Sequence, residues 1–176
     1  VLAGRATLAV TLSIPADDCE TGAPAFTGSV DDVLIDATIG PIDGVGGTLG
    51  QAGPCLTRSS TGLPVYGAME FDVADVAALE AAGDFNDVIL HEMGHVLGFG
   101  TVWTVPLLTG VGTSNPEFNG LVARGAYQAI GGTGAVPVEN SGGSGTINSH
   151  WRETTFNNEL MTGYLYVGVN PLSRLT

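Results

Sequence analysis

His91, Glu92 and His95, set in His91-Glu92-Met93-Gly94-His95, are the residues of this chain best suited to do chemistry. An α-helix places positions i and i+4 on one face a turn apart, so the two imidazoles can point at one metal ion. Glu92 comes one position after the first histidine, rotated around the helix. There its carboxylate can reach a water on the metal without ligating the metal itself. Two histidines with their own carboxylate base describe a hydrolytic zinc site. The chain holds 3 histidines in all, and two of them are here.

A zinc ion with three protein ligands keeps one position open for water, and that open position makes a site catalytic. Three downstream residues compete for the third place: His150, in Asn148-Ser149-His150-Trp151-Arg152, and the acids Glu117 and Glu139. Glu117 lies in a proline-flanked turn and Glu139 in a Gly/Ser-rich loop. Neither sits on the second helix that a thermolysin-like glutamate ligand requires. His150 is favoured, and it is the last histidine of the chain.

The elements that must position these residues are legible in outline. Asp84 reads as a cap, Asp87 follows three later, and a helix over 84–97 carries both histidines and stops at Gly98. Phe85, Ile89, Met93 and Val96 form one stripe, while Leu90 and Leu97 cover a second face. The helix is apolar nearly all round except at His91, Glu92 and His95, which predicts burial. A buried helix with three ionisable groups needs a reason. Before it, Asp72 caps a helix over Val73 to Ala82 that Gly83 ends.

Upstream, residues 29–39 read as a strand closed by the turn Gly40-Pro41-Ile42-Asp43-Gly44, followed by a glycine-rich loop running to Cys55. Residues 64–71 form the next strand, and Pro64 and Gly67 suit an edge position. Residues 101–149 read as an excursion from the core, with one helix around Phe118 to Ile130 and a flexible Gly-Gly-Ser-Gly stretch at 142–145. Residues 150–176 return to a compact segment with Trp151 and Phe156 as core or cleft wall. Its end, Asn170-Pro171, looks like a helix just beginning.

A chain of 176 residues fits one domain, and 44% hydrophobic content with 27 glycines predicts a globular, loop-rich protein. There is no lysine, and 18 acidic residues give a net charge of −13. That argues against nucleic acid and anionic membranes as partners, because phosphate binding needs a basic patch. No apolar run approaches the roughly 20 residues of a membrane-spanning helix. The acidic pairs Asp17-Asp18 and Asp31-Asp32 could offer oxygens to Ca2+, but neither has the spaced ligand pattern of a calcium loop. Cys19 and Cys55 are the only cysteines. Their even number predicts one disulfide, and with the acidic composition points to a secreted, extracellular, monomeric protein. The sequence opens at Val1 with no initiator methionine and no signal-peptide pattern, so a processed or trimmed chain is expected.

One further pattern narrows the reading. Gly98 follows His95 by three residues, as in the metzincin peptidases, where a third histidine usually comes three residues later; here that position is Thr101. The chain resembles the leishmanolysin-like metallopeptidases, in which an insertion separates the glycine from the third histidine. The resemblance rests on His91 to Phe99, on His150-Trp151-Arg152-Glu153 and on Asn158-Glu159-Leu160-Met161-Thr162-Gly163. Weaker likeness runs through Pro41-Ile42-Asp43-Gly44 and Gly50 to Cys55.

The resemblance implies an α+β metzincin-like zincin: a mixed, twisted β-sheet with the active-site helix, above a largely irregular lower subdomain. Residues 1–100 would form the upper subdomain and 101–149 the insertion. Residues 150–176 would form the lower subdomain, cut short at its C-terminus before an expected helix. It implies one Zn2+ held by His91, His95 and His150, with Met161 in a Met-turn beneath the metal as an apolar support. Glu159 beside it is either part of the metal surroundings or structural. Glu92 would take a proton from water as it attacks a peptide carbonyl, then deliver it to the leaving amine. Protein or peptide substrates would lie extended along an edge strand, for which Val65, Tyr66, Gly67 and Ala68 are the candidates. The alternative is a catalytically inactive or incomplete domain serving as an extracellular binding or adhesion module.

Overall fold

The computed structural model describes residues 9–19 and 21–176; the segment behind the expectation of a processed start lies outside them. The fold is α+β. Strands β1 (Val10–Ile14) and β2 (Phe26–Val30) pair antiparallel. The expected single strand over 29–39 is thereby divided, because β3 (Leu34–Gly40) starts only after a turn. Asp31 accepts the Asp32 N–H on its carboxylate, and the Arg58 guanidinium holds the carbonyls of both aspartates. Local acceptors of this kind break a strand in favour of a turn.

β3, β4 (Gly50–Thr57) and β5 (Pro64–Asp72) form a mixed sheet in the order β3-β5-β4, with β3 parallel and β4 antiparallel to β5. Two expectations change here. The glycine-rich stretch is in part a strand, since Gly50 to Thr57 pair with β5. Val65, Tyr66, Gly67 and Ala68 lie on the central strand, and the last three pair with both β3 and β4, so their ladder bonds cannot align a peptide. Pro64 is tolerated because it is the first residue of the strand. Gly67 marks close packing, since a Cβ there would lie 2.5 Å from the Gly53 carbonyl oxygen and 2.8 Å from Val96 Cγ1. The edge signal belongs to Pro54, on β4.

Helix α1 (Val73–Ala82) starts as expected: the Asp72 side chain accepts from Ala74 N, and Gly83 closes it in the left-handed conformation at φ 84°. Helix α2 (Phe85–Val96) follows, although Asp84 makes no capping bond with its side chain. α2 packs under the sheet through Val88 and Val96, against Met69 and Phe71 of β5. It is not buried all round: Leu90 is 50% and Leu97 54% exposed, so the second apolar face meets solvent.

Beyond α2 the elements are short: β6 (Leu108–Thr109), β7 (Glu117–Phe118) and β8 (Val136–Pro137) in one small sheet, α3 (Leu121–Ala129), and α4 (Glu153–Phe156). The region read as an excursion supplies half of a second core. Leu108, Ala123, Val136 and Val138 pack with Trp151, Leu160, Met161 and Leu175. Asn170 caps no helix. Its side chain accepts from Tyr166 N and donates to the carbonyls of Tyr166 and Gly168 and to Asp87 Oδ2, each at 3.0 Å, closing a loop and tying it to α2. Among the described residues no helix is long and apolar enough to cross a membrane.

A third cluster joins the β1–β2 pair to the sheet: Leu12, Ile14 and Val30 pack on Val65 and Tyr66. The Cys19–Cys55 disulfide fastens the same junction, closing a separation of 36 residues. The loop entropy it removes is worth about 4 kcal/mol. Replacing both cysteines by serine should lower the unfolding free energy by roughly 2–4 kcal/mol. Denaturant titration checks this, and an unchanged midpoint would count against a stabilising role.

Candidate metal centre

One helix from the first core and one loop from the second bring the three histidines together. His91 and His95 stand one turn apart on α2, with ring centroids 4.7 Å apart. His150 arrives from the second core and lies 3.0 Å from His91 and 2.9 Å from His95, Nε2 to Nε2; the remaining pair, His91 to His95, is also 3.0 Å. Among the described residues this is the group of three whose ligand atoms could hold an ion together. Glu117 and Glu139, the competing candidates, stand outside it. Glu139 is buried, but its carboxylate accepts from the N–H groups of Asn140, Ser141 and Glu153 and from the Ser141 hydroxyl. Burial alone would raise this carboxyl, yet those bonds outweigh it and hold its pKa below the usual value.

The far side of each ring decides what the near side presents. His91 Nδ1 meets the Leu160 carbonyl at 2.7 Å, His95 Nδ1 the Phe99 carbonyl at 2.9 Å, and His150 Nδ1 the Thr146 carbonyl at 3.0 Å. A carbonyl only accepts, so Nδ1 carries the proton in each ring and Nε2 is left with its lone pair. Three lone pairs thus face one another about 3 Å apart with no proton among them. That arrangement repels itself unless a cation lies within it, and neighbouring ligands of an ion held at about 2.0–2.1 Å are spaced in this way. Locking Nδ1 on a carbonyl is how metal-ligating histidines are commonly oriented. The donor set therefore fits zinc.

Burial keeps the rings neutral. It pushes His91 below its ordinary pKa, lowers His95 to about 4 with help from the neighbouring His91, and lowers His150 to about 3 with help from both other histidines. Glu92, 5% exposed, moves the other way: desolvation raises its carboxyl to about 8. Its side chain lies directly beneath Gly50 at the start of β4.

Met161 is fully buried, and a Cβ on Gly94 would lie 2.8 Å from its methyl carbon and 2.9 Å from its sulfur. The methionine therefore seats against α2 between the two histidines. Its carbonyl also accepts from Trp151 N at 2.9 Å, one residue past His150. Glu159, undecided in the sequence, staples this turn: it accepts from Met161 N at 2.6 Å and from Ser173 and Thr176. Trp151 packs edge-on or tilted among Phe99, Trp103, Phe118 and Phe156, as expected of a core residue.

Some contributors escaped the sequence reading. Thr101, at the position of the usual third histidine, donates to the His95 carbonyl at 2.8 Å and ties off the helix. Gly100 lets the two backbones approach, since a Cβ there would sit 2.0 Å from the Ser149 carbonyl oxygen. Its spacing after Gly98 was the available signal. Thr146, which holds His150 by its carbonyl, gave none.

The molecule is thus an α+β protein whose HExxH helix and a distant third histidine define a candidate metal centre with neutral imidazole ligands and a buried glutamate alongside. The sequence profile of leishmanolysin matches residues 12–176, and the chain belongs to that family, whose members are zinc-dependent metallopeptidases. No curated protein matches the chain.

Stability of the metal-free chain follows from these shifts. Histidines with depressed folded values stabilise fully above their unfolded value of 6.5 and lose that contribution as the pH falls toward 4. Glu92, raised from 4.5 to about 8, stabilises at low pH and loses its contribution as the pH rises through 8. Three histidines outweigh one glutamate on the acid side. Unfolding free energy measured without metal should therefore fall on acidification below 6.5 and, more gently, on raising the pH toward 8. A flat profile over that range would contradict the burial argument.

Proposed function

We propose that this chain is an extracellular zinc endopeptidase that hydrolyses peptide bonds with Glu92 as general base and then general acid. The observation that carries the proposal is the convergence of three unprotonated Nε2 atoms, each held by a carbonyl behind it, beside a buried glutamate on the same helix. His91, His95 and His150 would hold the metal. A zinc ion supplies Lewis acidity there, acidifying water and polarising a peptide carbonyl.

Glu92 does the proton work. Buried on the helix that carries two of the ligands, its carboxylate can accept a proton from water and release it to the departing amide nitrogen. Met161 supports the helix face that carries both ligands, and Glu159 fixes the turn that brings it there. The disulfide favours an oxidising, extracellular setting. For substrate the suitable edge is β4, which has a single strand partner among the described residues and passes over Glu92. An extended peptide added there would gain main-chain hydrogen bonds beside the metal.

Metal analysis and casein hydrolysis with and without a chelator test the reading. Glu92→Gln should keep one zinc per chain and lose about 10²–10⁴-fold in kcat. His150→Ala should lose zinc or bind it weakly. A wild-type chain that binds zinc and hydrolyses nothing would instead favour a non-catalytic binding module.

A further inference from the structure

Glu92 is buried against backbone, and the backbone it meets belongs to Gly50. A Cβ built on Gly50 would lie 2.9 Å from Glu92 Cγ, 2.9 Å from its Oε1 and 3.1 Å from its Cδ. Real Cβ atoms do not approach so closely, so something would have to move. Gly50 is not in a left-handed conformation, and any residue could adopt its backbone angles. The glycine is there for space.

The strand cannot be the part that moves. Gly50 pairs with Phe71 on β5, and the carbonyl of the preceding Leu49 accepts from Asp72 N at 3.0 Å. The loop leading into it is held by three aspartates. Asp72 Oδ2 accepts from Asp43 N at 2.9 Å and Gly44 N at 2.7 Å, while Asp75 Oδ1 accepts from Gly46 N at 2.8 Å. Asp43 in turn accepts from both the N–H and the hydroxyl of Thr48 at 2.8 Å each. Asp72 also caps α1, so the clamp is built into the sheet-to-helix junction. Glu92 sits at the end of a flexible side chain on the other side of the contact and would be displaced first.

We propose that Gly50 is a positioning residue for Glu92: its bare Cα leaves the slot the carboxylate occupies, and the Asp43–Asp72–Asp75 clamp keeps β4 from giving way. The inference rests on the peptidase reading for its effect on rate, but not for its effect on geometry. In Gly50→Ala, kcat should fall by about 10²-fold, as expected of a catalytic group displaced by about 1 Å, with KM and zinc stoichiometry unchanged. Gly125→Ala, on α3 away from the site, is the control, since a Cβ there meets nothing within 4 Å; it should keep full activity. In a Glu92→Gln background, Gly50→Ala should cost little more, because both changes act through one group.

A crystal structure of Gly50→Ala supplies a readout independent of turnover: Glu92 shifted, β4 in place. Full activity in Gly50→Ala, equal losses in both alanine variants, an additive loss on Glu92→Gln, or a shifted β4 with Glu92 unmoved would each overturn the proposal. A wild-type chain without peptidase activity would instead remove the functional reading. The displacement of Glu92 would then still decide the role of Gly50.

Discussion

Three imidazole lone pairs about 3 Å apart cannot coexist for free, and the rest of the structure answers to that constraint. Each ring is neutral because it is buried, and each is turned the right way because a carbonyl takes its other nitrogen. Those carbonyls come from Leu160, Phe99 and Thr146, all three outside any helix or strand. The irregular half of the molecule is therefore not filler. Its backbone holds the tautomers.

Meeting the constraint requires two cores to be brought together around one helix. The first core, under the mixed sheet, seats α2 through Val88 and Val96. The second, around Trp151 and Met161, carries His150. They touch where side chains are missing: Gly94 admits Met161, and Gly100 admits the backbone before His150; within the first core Gly67 likewise lets the sheet approach α2. The insertion between the second and third histidines returns to the helix through that last contact, with Thr101 closing off the helix end.

The carboxylate is placed by the opposite device. Where the histidines are gripped by hydrogen bonds, Glu92 is confined by a strand edge above it, and the acids Asp43, Asp72 and Asp75 are spent on backbone N–H groups that hold this edge. A strongly acidic chain thus uses part of its charge as internal staples. Burial without a fixed countercharge is what raises Glu92 toward neutrality.

Composition, spacing and capping chemistry in the sequence determined the chemistry-bearing helix, the Asp72 cap and Gly83 stop, the pairing of Cys19 with Cys55, and His150 as the third member of the cluster. Those features depend on residue type and on intervals within a turn or a helix, which a linear pattern carries. Strand order is not of that kind. Pro64 and Gly67 are glycine and proline signals with two meanings, and only tertiary packing against Val96 and Gly53 made β5 central and β4 the edge. The same holds for Asn170, whose cap chemistry went to a loop, for Leu90 and Leu97, which face solvent, and for Thr146 and Leu160, which act through carbonyls. Every residue has a carbonyl, so nothing in the sequence distinguishes the three that matter.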